Sequence, residues 1–178
     1  MRVLNLFAAA ALVVAPGIAQ AAQAPQCLTA AEFTAMTTYG LPSMIRGTSQ
    51  RCATVLPADA YLRRDGERLA ARYERGKNAA WPAARAAFLR VGSNGNAAQA
   101  SLMQRLPDDT LRPLVDELIL GMVDQKLPTD RCKAIDRVVA LLAPLPAENT
   151  AELIGLAAGL GAATGKARTG QFQLCEAS

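Results

Sequence analysis

From residue 29 onward, apolar side chains recur every three to four positions, and the segments they mark read as helices. The fullest stretch is "PDDTLRPLVDELILGMVDQKLP". Leu111, Leu114, Val115, Leu118, Ile119, Met122 and Val123 form a broad apolar face, with Asp108 or Asp109 as the cap and Pro113 early enough to be tolerated. This helix is expected at the centre of the core. N-terminal to it, Thr29 and Glu32 have capping-box spacing, so a helix should run over 30–39 and stop at Gly40. Pro42 then suits the first turn of a second helix, reaching about residue 55, with Gly47 as its weak point.

A third helix is expected over the 60s and 70s, with Leu62, Gly66, Leu69, Ala70 and Tyr73 on one side. Asp59 would cap it, and Gly76 or Asn78 would end it. "WPAARAAFLRVG" predicts a separate short helix carrying Trp81, Ala84, Phe88 and Val91 inward. "GSNGN" at 92–96 is a turn, and a short helix should follow at 97–105. Thr129 or Asp130 opens another helix, with Ile135, Val138, Val139 and Leu142 inward, and "APLP" breaks it at 143–146. The last helix is expected at 147–161, with Leu153, Ile154, Leu156 and Leu160 apolar. Composition agrees with an all-α fold: aromatic residues are 4% of the chain, and Ala, Leu and Arg, all good helix formers, dominate.

The N-terminus reads differently. Arg2, an apolar run to Ala19 and the small-residue motif Ala19-Gln20-Ala21 make a signal peptide over 1–21, cleaved after Ala21. No later stretch is apolar for long enough to span a bilayer. Residues 22–178 then form a single helical domain. Four cysteines, none in a C-x-x-C pair, behind an export signal read as disulfides. If the chain folds back at Gly40, Cys27 meets Cys52. If it folds back again at "APLP", Cys132 meets Cys175. The expected fold is therefore a compact bundle of about six to seven helices whose terminal hairpins are stapled by disulfides.

Candidate chemistry narrows by exclusion. The chain has no histidine, which removes the Ser-His-Asp triad, the Cys-His pair and His-containing zinc sites. "GLGAATGKARTG" at 159–170 resembles a phosphate loop but has Leu160 and Ala167 where a Walker motif needs Gly and Ser or Thr. It reads as a glycine-rich helix stop, so no nucleotide, metal or other cofactor is expected. Asp109, Asp116, Glu117 and Asp124 read as the solvated side of the 110–126 helix. Paired carboxylates could otherwise serve glycoside hydrolysis.

Residues 61–90 carry eight cations against three carboxylates. On a helix, Arg64, Arg68 and Arg75 fall within about 40° of one another, opposite Leu62, Leu69 and Tyr73. Arg64/Arg68 and Arg68/Arg72 are like-charged i, i+4 pairs, which a helix optimised for stability alone would avoid. Arg64, Arg68, Arg72 and Arg75 are thus the candidate contacts to an anionic envelope component or a protein, and the export signal argues against nucleic acid. The expected role is binding or structural. The rival is a small envelope enzyme using carboxylates, for which a partly buried Glu or Asp at the centre of a concave pocket would be the mark.

Overall fold

Thr29 begins the helical structure. Its hydroxyl accepts from the Glu32 N–H, and the Glu32 carboxylate accepts from the Thr29 N–H at 2.9 Å, closing the capping box. The computed structural model describes residues 27–92, 97–163 and 173–175. Within them lie six helices: α1 (Ala30–Cys52), α2 (Tyr61–Gly92), α3 (Ala97–Gln104), α4 (Asp108–Lys126), α5 (Cys132–Leu142) and α6 (Ala147–Ala163). Two short strands, β1 (Cys27–Leu28) and β2 (Gln173–Leu174), pair in parallel. The expected all-α class holds. The signal-peptide residues 1–21, residues 93–96 of the expected turn and residues 164–170 of the glycine-rich stretch lie outside the described residues.

The expected turn at Gly40 is not there: α1 runs unbroken through Gly40, Pro42 and Gly47. Residues 37–43 are all buried, because α2, α4 and α6 pack around this helix. Such all-round packing overrides the local cost of a proline inside a helix, about 3 kcal/mol. The glycines mark close approach rather than a stop. A Cβ on Gly40 would sit 3.1 Å from Ile119 Cδ1, and one on Gly47 would sit 3.2 Å from Val123 Cβ. Both therefore admit α4, which runs alongside α1 in the same direction. Tyr39 meets Arg112, Ser43 meets Asp116 and Arg51 meets Asp124, a constant offset along the two helices.

α2 also absorbs two expected helices into one of 32 residues, continuing through Gly76, Asn78 and Pro82. It runs antiparallel to α1, with Tyr39 against Trp81 and Arg46 against Glu67 and Glu74. Its start is held from a distance. The Leu62 N–H donates to Asp136 of α5 at 2.7 Å, where Asp59 was expected to cap. Two apolar clusters result. One gathers Leu41, Ile45, Leu62, Leu69 and Tyr73 beneath the α5–α6 turn. The other gathers Tyr39, Trp81, Leu89, Leu111, Val115 and Ile119.

The centre of the core is therefore α1, not α4. Of the broad α4 face, Leu111, Val115 and Ile119 are buried, whereas Leu114, Leu118 and Met122 are exposed. Val138, Leu153 and Leu156, expected inward or apolar-facing, are also exposed. The α6 helix continues past Gly159 to Ala163, so that glycine does not stop it.

Both expected disulfide pairings are corrected. The bridges are Cys27–Cys175 and Cys52–Cys132. An unbroken α1 of 23 residues is roughly 35 Å long, so Cys27 and Cys52 stand at opposite ends and cannot meet. Cys52 instead meets Cys132 at the start of α5. Cys27 meets Cys175 beside the strand pair, where the Cys175 N–H donates to Leu28 O at 2.8 Å. Two disulfides with no free cysteine place the chain in a non-reducing, extracellular or periplasmic environment. No described helix is long and apolar enough to cross a membrane.

Peptide mapping without reduction should recover Cys27–Cys175 and Cys52–Cys132. The bridges span 148 and 80 positions, so removing either pair should lower urea stability by up to about 4–5 kcal/mol. A Cys27–Cys52 peptide would contradict the continuous helix.

Candidate functional site

Among the four candidate arginines on α2, the structure separates two pairs. Arg64 and Arg68 both bind Asp65, which is buried between them, with Arg64 at 3.1 Å. Their like-charge repulsion is therefore relieved by a shared carboxylate. Arg72 and Arg75 lie further along the helix and have no carboxylate within ion-pair distance among the described residues. Arg72 donates to the Ala143 carbonyl and lies over the Tyr73 ring, 5.4 Å from its centroid. That leaves other guanidinium N–H groups available.

Arg72 and Arg75 line an open cleft of about 390 Å³ between α2 and the turn joining α5 to α6. Pro144, Leu145 and Pro146 of that turn form the wall across from α2, and Gly76 and Glu148 also line the cleft. The Tyr73 hydroxyl fixes that wall: it bonds Leu145 O at 3.1 Å and the Thr150 hydroxyl at 3.0 Å. The "APLP" break thus builds the cleft as well as ending α5. The first turn of α6 also begins here, and its positive end favours anions. The four arginines do not form one site. Arg64 and Arg68 belong to the Asp65 pair, and only Arg72 and Arg75 share the cleft.

The carboxylates of α4 do not assemble. Asp109 and Glu117 are exposed, and Asp124 reaches Arg51 only at 3.8 Å with 70% of its side chain exposed. Asp116 is half-buried and turned toward α1 and α2 rather than free in solvent. It accepts from Lys77 at 2.6 and 2.8 Å and from the Ser43 hydroxyl at 3.0 Å. Lys77 is 8% exposed, with its ammonium 4.5 Å from the Tyr39 ring centroid. This node joins α1, α2 and α4, and sequence reasoning missed it. The signal was present: Lys77 is the one lysine in α2 and stands on its apolar stripe, four residues from both Tyr73 and Trp81. Burial, and next the Asp116 charge, push the Tyr39 phenol well above its ordinary range. The node is closed on itself: every charge has a partner. Among the described residues, no cluster of three metal-ligating side chains occurs.

At the edge of the fold, the Arg90 guanidinium beside Glu32 holds its carboxyl below the usual carboxylate range, against a smaller opposing effect of burial. Comparison with protein-family models, curated proteins and solved structures finds no match to this chain.

Two outcomes follow from these pairs. Asp116→Asn should cost about 3 kcal/mol, because it leaves the buried Lys77 ammonium only the more distant Glu74 carboxylate at 3.8 Å, whereas Lys77→Met with Asp116→Leu should stay within about 1 kcal/mol of the parent in urea unfolding. Glu32→Gln keeps the capping geometry but removes the charge, and should cost about 0.5–1 kcal/mol at neutral pH. Because the folded state lowers the Glu32 pKa, that contribution is present above the ordinary carboxylate value of 4.5 and disappears as pH falls through the folded value. Parent and variant should therefore converge in stability in acid.

Proposed function

We propose that this chain is an exported, non-enzymatic binding protein that holds an anionic partner through the arginines of α2, with Arg72 and Arg75 as the principal contacts. One observation carries the reading: these two guanidinium groups line an open cleft and have no carboxylate partner among the described residues. Arg64 and Arg68 add a secondary rim, half-neutralised by Asp65. Export rests on the signal-peptide pattern of residues 1–21 and accords with the two disulfides, so the working chain begins at Ala22. Residues 22–178 act as one domain and need no cofactor for this role. A carboxylate enzyme is less well supported, since Asp109, Asp116, Glu117 and Asp124 share no pocket and Glu148 in the cleft is exposed.

The test is vesicle flotation with the chain from Ala22. It should bind phosphatidylglycerol vesicles and ignore phosphatidylcholine. At about 1 kcal/mol for each cation, Arg72→Gln with Arg75→Gln should weaken binding by about thirtyfold. Arg64→Gln, Arg68→Gln and Asp65→Asn together remove one net charge and should weaken it by about fivefold at most. Equal binding to both vesicles, or a cleft variant that binds like the parent, would overturn the reading.

A further inference from the structure

Arg75 and Glu148 face the same cleft from different helices, yet they form no ion pair, and neither has another charged partner among the described residues. Both line one cleft, but they stand on different helices and are not paired with each other. Here α2 carries one and the first turn of α6 carries the other. We infer that the cleft receives a small amphoteric solute, with an oxyanion on Arg75 and Arg72 and a primary ammonium on Glu148; this rests on the anion-binding role proposed above. A ligand of one sign would satisfy only one of the two kinds of charge, and an amphoteric one satisfies both. A carboxylate or phosphate suits the guanidinium forks, and an ammonium suits an exposed carboxylate.

Gly76 lines the same cleft beside Glu148. Gly76 sits inside a 32-residue helix, where alanine would be favoured by about 1 kcal/mol. An added Cβ would stand at ordinary contact distance from Thr38 and Ala147, 3.7 and 3.8 Å, but only 3.0 Å from Glu148 Oε1. No backbone is in its way. The close neighbour is the far end of the exposed Glu148 side chain, so the Glu148 carboxylate lies directly beside α2 at the cleft. The volume, about 390 Å³, falls in the range of small-molecule sites. The Pro144–Pro146 wall, pinned by Tyr73, supplies a rigid apolar side.

Titration calorimetry of the chain from Ala22 tests this with two amphoteric probes, alanyl-alanine and O-phosphoethanolamine, each beside its N-acetylated form. At least one free amine should bind about tenfold more tightly than its acetylated form, and which one does so distinguishes a peptide end from a phosphate headgroup. Glu148→Gln should erase that preference while leaving affinity for the acetylated probe unchanged. Arg75→Gln should weaken both forms. If the acetylated probe binds as tightly as the free amine, or Glu148→Gln keeps the preference, the amphoteric assignment is wrong, while weakening by Arg75→Gln still upholds the anion site. If no probe binds, the assignment is also wrong; vesicle binding insensitive to Arg72→Gln with Arg75→Gln would then remove the anion site as well.

Discussion

The burial of α1 on every side between Thr37 and Ser43 is the constraint on which the rest of this structure depends. A helix enclosed by three others must offer each of them a different surface. Gly40 and Gly47 give α4 close approach, Tyr39 and Ile45 supply the two apolar clusters, and Phe33 and Thr34 meet Gly155 of α6. Once this helix is continuous, its length sets the disulfide pattern. Cys52 must find a partner at one end of the molecule and Cys27 at the other. The two bridges therefore join distant parts of the chain and hold the bundle as one body.

Electrostatics follow the same enclosure. Polar side chains that the packing carries inward are neutralised in place: Lys77 by Asp116, and Asp65 by Arg64 and Arg68. A buried charge without a partner would cost several kcal/mol, so such nodes close on themselves. The Lys77–Asp116 node joins α1, α2 and α4. What remains open is where the α5–α6 turn crosses α2. There the prolines leave space, Tyr73 holds the turn, and Arg72, Arg75 and Glu148 keep their charges facing solvent. The contrast between closed and open charges along one helix is the basis for placing function at the cleft.

Local physics was legible in the sequence. The capping box at Thr29 and Glu32, the helical class, the apolar positions of α2 at Leu62, Leu69 and Tyr73, the helix break at "APLP" and the absence of histidine chemistry all follow from spacing or composition, whose effects act within a few residues. The arginine excess of α2 was legible too, but not its division, because Asp65 reads as one more surface charge until its burial is known. Tertiary structure decided everything that needed a second element. Gly40 and Pro42 read as a turn in isolation; only α4 and α6 packed around α1 make a straight helix cheaper than a hairpin. That choice reversed both disulfide pairings and moved the centre of the core from α4 to α1. It also turned Asp116 from the solvated face it was expected on to a half-buried partner of Lys77. The cleft likewise exists only where the α5–α6 turn meets α2, some seventy positions away in the chain, a distance over which periodicity carries no information.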